Sequence, residues 1–84
     1  MMKIKFKLFA SLMDLLPPER TGNRLDLEVP AGTTVSDMIA RYRVPERSAH
    51  LVLINGVFVP QEQRATRELA DGDELAIWPP IAGG

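Results

Sequence analysis

The stretch that decides the reading is Leu69-Ala70-Asp71-Gly72-Asp73-Glu74-Leu75-Ala76-Ile77-Trp78-Pro79-Pro80-Ile81-Ala82-Gly83-Gly84. Asp71-Gly72-Asp73 is a turn, built from residues whose side chains and backbones favour one. Glu74 to Trp78 then forms a strand. Ile77 and Trp78 alternate, so if Ile77 faces the core, Trp78 faces outward at the strand's end. Pro79 and Pro80 lack backbone donors and hold φ near −65°, which ends the strand and sets a stiff, extended exit. Ile81 and Ala82 add no charge and little bulk. Gly83 and Gly84 have no Cβ, so the chain is thin and conformationally free there. Ile81 to Gly84 spans roughly 13 Å when extended. That reach suits threading a terminal carboxylate into a narrow channel of a partner; the other reading is a frayed end, since chain termini are commonly disordered. The expected division is a domain over 1–80 and a flexible reactive tail over 81–84.

Outside this stretch the chain reads as one small domain. Its 84 residues are too few for two. With 45% hydrophobic and 25% charged residues it has an ordinary globular mix. The formal net charge of −1 shows no basic excess and disfavours a nucleic-acid partner. There is no cysteine, which excludes disulfides, cysteine-ligated zinc and iron–sulfur clusters. His50 is the lone histidine and cannot build a histidine metal site. Met1 to Leu16 is basic and then apolar. Asp14 interrupts it and a cleavage site is missing, so it is not read as a signal peptide. No apolar run approaches the ~20 residues of a membrane helix. The expected location is the cytoplasm.

Working back to the start, residues 3–10 alternate, with Lys3, Lys5 and Lys7 out and Ile4, Phe6 and Leu8 in. Period two predicts a half-buried strand with a solvated lysine face. Ser11 to Leu16 is a short helical turn closed by Pro17-Pro18, and Glu19 to Asn23 is a loop. Arg24 to Val29 alternates again, with Leu25, Leu27 and Val29 on one face, and pairs with the first strand. Thr33 or Thr34 caps a helix over about 34–43, with Asp37 in its first turn. Val35, Met38, Ile39 and Tyr42 line one face of it at i, i+3, i+4 and i+7, and Pro45 ends it. His50 to Ile54 is apolar without alternation, which predicts a strand covered on both faces or nearly so. Asn55-Gly56 is a tight hairpin turn, because both residues tolerate positive φ. Val57 to Val59 returns, and Gln61 to Arg67 is a polar crossover anchored by Leu69. The fold class is therefore α+β: a mixed sheet with one main helix across a face, for which the ubiquitin-like β-grasp is the natural match.

No catalytic constellation stands out. There is no nucleophile with a base in a recognisable motif. Gly32, Gly56 and Gly72 are isolated turn glycines, so no phosphate loop exists. His50 is either a surface residue or a hydrogen bonder at the core edge. Asp71 and Asp73 are explained by turn chemistry without a metal. Trp78, bounded by prolines, reads either as an interface anchor or as a partly buried strand aromatic.

The segment Leu69 to Gly84, with its leucine, Gly72-Asp73 turn, short strand, Trp78, Pro79-Pro80 and Gly83-Gly84, resembles the end of the small subunit of molybdopterin synthase. More broadly the chain is similar to the MoaD/ThiS sulfur carriers of the molybdopterin and thiamine pathways. The rest of the chain fits in order of elements. The resemblance implies that the first and last strands lie parallel at the sheet's centre. It also implies that Gly84 carries the chemistry. An E1-like enzyme adenylates its carboxylate with ATP and magnesium, and a sulfur nucleophile converts it to a thiocarboxylate. The sulfur is then donated in a second partner, the large subunit of molybdopterin synthase or an equivalent acceptor. Gly83 and Gly84 are the catalytic residues in this picture, while Trp78, Pro79, Pro80, Ile81 and Ala82 contact partners. The chain itself binds no cofactor or metal and is not catalytic alone. Pro79-Pro80 favours the molybdopterin branch over the thiamine branch; carriers for tungsten cofactors look alike at this level. Two rivals remain. One is a ubiquitin-like modifier conjugated to lysines through Gly84. The other is a β-grasp binding module similar to RNA-associated domains of some tRNA synthetases, which the net charge disfavours.

Overall fold

The computed structural model describes residues 1–80. The expectation for a flexible tail at Ile81 to Gly84 lies outside those residues. β1 spans Met2–Leu8 and buries Ile4, Phe6 and Leu8 on one side, as its alternation predicts. β2, Arg24–Val29, pairs with it antiparallel, setting Ile4 opposite Leu27 and Phe6 opposite Leu25. The connection between them contains a 3₁₀ turn over Ala10–Leu15, pinned to the core by Leu12 and Leu16.

The helix α1, Val35–Arg41, is shorter than the pattern predicts. Its start is Thr34. The Thr34 hydroxyl accepts from the Asp37 N–H at 3.1 Å, and the Asp37 carboxylate accepts from the Thr34 N–H at 2.9 Å. This reciprocal pair satisfies two donors that a helix start leaves free. Pro45 does not end α1. The helix stops at Arg41, and Arg43 adopts φ +57°, reversing the chain before the proline is reached. Pro45 instead precedes a second 3₁₀ turn, Glu46–Ser48. Val35 and Met38 are buried, and Tyr42 packs on Phe6 with ring centroids 5.0 Å apart.

β3, Leu51–Ile54, corrects another expectation. Val52 and Ile54 are buried, but Leu51 is 37% exposed and Leu53 only half-buried. The single helix covers one face of the sheet, so a strand here has one covered side whatever its composition. Asn55 (φ +52°) and Gly56 (φ +83°) form the expected tight turn to β4, Val57–Phe58. β5, Glu74–Trp78, closes the sheet in the order β2-β1-β5-β3-β4, with β1 and β5 parallel. This is the β-grasp arrangement. The two central strands run side by side, Leu8 opposite Ile77, and both point toward the exit of the chain.

The polar crossover holds a residue that its pattern does not mark. Arg64 is 6% exposed. Its guanidinium donates to the Ala49 carbonyl at 2.6 Å and the His50 carbonyl at 3.3 Å, with a longer bond to Val59. Burial pushes its pKa below the ordinary value, opposed by Glu46 and Glu62 nearby. Arg64 thereby ties the crossover to the segment entering β3. Arg64→Met should destabilise the fold by about 1–2 kcal/mol, because carbonyls aimed at the guanidinium lose their donor. Urea denaturation would measure it, and an unchanged midpoint would show that water replaces the side chain without loss.

Candidate functional site: the open sheet face at the chain exit

β5 brings its last residues out of the centre of the sheet. Leu75 and Ile77 are fully buried against α1, so Trp78 lies on the opposite face, as the alternation requires. There it is half-buried. Its indole stacks on Phe9, centroids 3.9 Å apart and planes 8° from parallel. Phe9 is held in place because its N–H donates to the Ile77 carbonyl at 3.1 Å, extending the β1–β5 pairing by one residue. On the other flank the His50 N–H donates to the Trp78 carbonyl at 3.1 Å, and Leu51 pairs with Trp78. The backbone that delivers Pro79 is thus gripped from both sides. Pro79 is half-buried and Pro80 exposed.

Register extends this into an apolar field. Leu53 lies opposite Ala76 on β5 and opposite Phe58 on β4. Leu51, Leu53, Phe58, Ala76, Trp78 and Phe9 therefore share the uncovered face, and Phe58 is 52% exposed. Leu51 and Phe58 are exposed on it, Leu53, Phe9 and Trp78 are half-buried, and Ala76 is buried beneath them. β1 borders it with charge. Lys7 Nζ lies 2.7 Å from a Glu74 carboxylate oxygen. Beyond that, Lys5 faces Asp26 and Lys3 faces Glu28 across β1 and β2, beside a shallow groove of about 500 Å³. The lysine row is thus balanced strand by strand.

The hydrogen bond from Lys7 holds the Glu74 carboxyl below its ordinary value, with burial opposing. A depressed carboxylate contributes stability above its unfolded pKa and loses it as pH falls through the folded one. Glu74→Gln should therefore cost less than about 1 kcal/mol at pH 7, as expected of a surface pair. Near pH 3 the variant and wild type should converge in denaturant midpoint. A cost that persists in acid would mean that packing, and not charge, is lost.

Of the residues expected to act, the described part contains Trp78, Pro79 and Pro80, and it brings them together at one edge of the apolar field. Ile81, Ala82, Gly83 and Gly84 lie outside the described residues. Trp78 is a half-buried strand aromatic stacked on Phe9; its reading as an interface anchor belongs with the proposed function. Sequence reasoning missed Phe9, Leu53 and Phe58. Strict alternation from Lys3 puts Phe9 on the lysine side, and the Asn55-Gly56 hairpin puts Phe58 opposite Leu53. Both signals were present. Asp71 and Asp73 are spent on the turn. Asp71 accepts from the Lys3 N–H at 2.7 Å, and Asp73 accepts from the Asn55 amide at 2.9 Å and the Ala70 N–H at 2.8 Å. Among the described residues no cluster of acids and histidine fit to hold a metal occurs. Among them also, no helix is long and apolar enough to cross a membrane.

Comparison with known proteins places this geometry in context. The ThiS family model matches residues 6–84. The chain is similar to the crystal structure of SAMP1 from Haloferax volcanii, at 25% identity and TM-score 0.65, covering 98% of this chain and 99% of that one. It is similar to a protein from Pyrococcus furiosus assigned as molybdopterin converting factor subunit 1, at 24% identity and TM-score 0.67, over 96% and 100% of the two chains. It is also similar to the thiamine biosynthesis protein (ThiS) from Geobacter metallireducens, at 15% identity and TM-score 0.61, over 95% and 99%. The last two likenesses establish the shared fold.

Proposed function

Because the chain belongs to the ThiS family, we propose that it is a sulfur carrier, acting in the cytoplasm and loaded at the carboxylate of Gly84. The observation that carries this reading is the family match running through Gly84 on a chain whose exit strand is clamped beside an unpartnered apolar face. A carboxylate is a poor electrophile. In the proposed cycle a Gly84 oxygen attacks the α-phosphorus of ATP and expels pyrophosphate, leaving an acyl adenylate. Hydrosulfide then attacks the carbonyl carbon, the bond to AMP breaks, and a thiocarboxylate and a proton result. ATP and magnesium belong to an E1-like activating partner. In this reading the chain supplies the docking face and the thin Gly83-Gly84 end, while Ile81 and Ala82 contact the partner. Pro79-Pro80 supports the molybdopterin branch, with the large subunit of a molybdopterin synthase as the sulfur acceptor.

The test is ATP–pyrophosphate exchange with the cognate activating enzyme, followed by intact mass after sulfide is added. A gain of about 16 Da, oxygen replaced by sulfur, is the expected result. No exchange would overturn the reading. The likeness to SAMP1 supports one second reading, a protein modifier conjugated through the same activated Gly84. Lysines of other proteins carrying this chain's Glu68–Gly84 peptide after tryptic digestion, without the mass gain, would favour it.

A further inference from the structure

The charges of this chain are unevenly divided between its ends: Lys3, Lys5 and Arg67 sit among the acids of one, and Asp14, Glu46 and Glu62 among the arginines of the other. β2 descends to Val29 beside Met2, α1 climbs back, and β3 starts at Leu51 beside Trp78. The end remote from the exit therefore gathers acids. Glu28 faces Lys3, Asp37 sits in the first turn of α1, and Glu68 bridges to Thr34 beside it. Asp71 binds the Lys3 N–H, and the Asp73 carbonyl accepts from the Lys5 N–H. The exit end gathers arginines. Arg20 and Arg24 there have acidic partners in Asp14 and Asp26. Arg41, Arg43 and Arg47 are exposed and make no ion pair among the described residues. They lie on the path from Arg41 at the end of α1 to Leu51, where the strand that grips Trp78 begins. Arg41 leans over the Tyr42 ring at 5.5 Å, Arg43 occupies the left-handed reversal, and Arg47 lies in the 3₁₀ turn that leads to His50.

We propose that Arg41, Arg43 and Arg47 form a cationic collar that docks on an acidic rim around the tail channel of the activating partner. This inference rests on the carrier reading. The collar lies on the segment that leads into His50 and Leu51, which pair with Trp78, so it stands at the end of the sheet where the chain exits; charged residues around such an exit suit the polar rim of a protein interface. Guanidinium groups are weakly hydrated and pair bidentately with carboxylates. The collar includes Glu46, and the far end of the molecule is acidic, which disfavours a polyanion such as nucleic acid. A net charge of −1 gives no attraction overall; an uneven charge distribution orients the chain so that the tail leads.

The experiment compares wild type with R41E/R43E/R47E and with the uncharged R41Q/R43Q/R47Q in pyrophosphate exchange, at low and high salt, after circular dichroism confirms that both melt like wild type. The expected result is a KM for the carrier raised about tenfold at low salt in the Glu variant, within the range of electrostatic steering. The Gln variant should fall between, and kcat should be unchanged. Raising salt should weaken wild type and leave the Glu variant flat or improved. Equal KM and equal salt slopes in all three proteins overturn the collar while leaving the carrier reading intact. Loss of oligonucleotide binding with unaltered exchange also overturns it, assigning the arginines to nucleic acid. If wild type itself supports no exchange, the carrier reading falls and takes the collar with it.

Discussion

Deletion of Gly84 is expected to abolish adenylation and leave the fold intact. The reacting atom in the proposed cycle is the carboxyl carbon of that residue. Removing it withdraws the new terminus by roughly 3.3 Å, one extended residue. A misplacement of about 1 Å at a reacting centre can cost a hundredfold in rate, so exchange should fall by more than that. Residues added after Gly84 should have the same effect by displacing the carboxylate from its required depth. The core that stabilises the domain runs from Ile4 to Ile77, so neither change should move the melting temperature. Exchange at saturating carrier, measured beside a thermal melt, separates the two consequences. Exchange at the wild-type rate by the truncated chain would leave a β-grasp domain of another purpose.

Much of the architecture was legible because the sequence repeats one physical signal several times. Ile4, Phe6 and Leu8 and then Leu25, Leu27 and Val29 alternate with charges, so each strand declares its buried side. Asn55-Gly56 and the Thr34–Asp37 pair are local chemistry whose partners lie within a few residues. The failures are non-local. Arg64 sits in a polar run and finds its acceptors 15 and 14 residues back, at Ala49 and His50, so no window contains the reason for its burial. The end of α1 uses Arg43 in a left-handed conformation, where the usual sequence mark is glycine. The run from Leu51 to Ile54 looked covered on both sides because Leu51 and Leu53 are apolar. Their hydrophobicity belongs to the open face and its use, and a strand pattern alone cannot separate a second core layer from an interaction surface. The same ambiguity hid Phe9, which reads as the end of a strand and serves as the platform for Trp78.

That platform makes Trp78→Ala the second large effect, and it predicts a loss in two separable parts. An interface tryptophan commonly contributes 2 kcal/mol or more to binding, so affinity for the activating enzyme should fall by roughly thirtyfold or more. The same substitution removes a stacked pair worth about 0.5–1.5 kcal/mol beyond area burial, so the melting temperature should also drop by a few degrees. Phe9 decides how the two parts combine. Its ring lies flat on the indole at 3.9 Å, while the backbone clamps on Trp78 come from His50 and Leu51 and do not involve the Phe9 ring. Phe9→Ala should therefore leave the path of the chain unchanged and free the indole to turn on the face. Its effect on stability should match the stacking term, and its effect on affinity should be smaller than that of Trp78→Ala. In the double variant the costs should fall short of additive by about 0.5–1.5 kcal/mol, the coupling expected of side chains in direct contact. Titration calorimetry on the four proteins, well below their melting temperatures, measures the cycle. Wild-type affinity in Trp78→Ala would reduce the residue to sheet packing. Strict additivity would mean that Phe9 and Trp78 reach the partner independently.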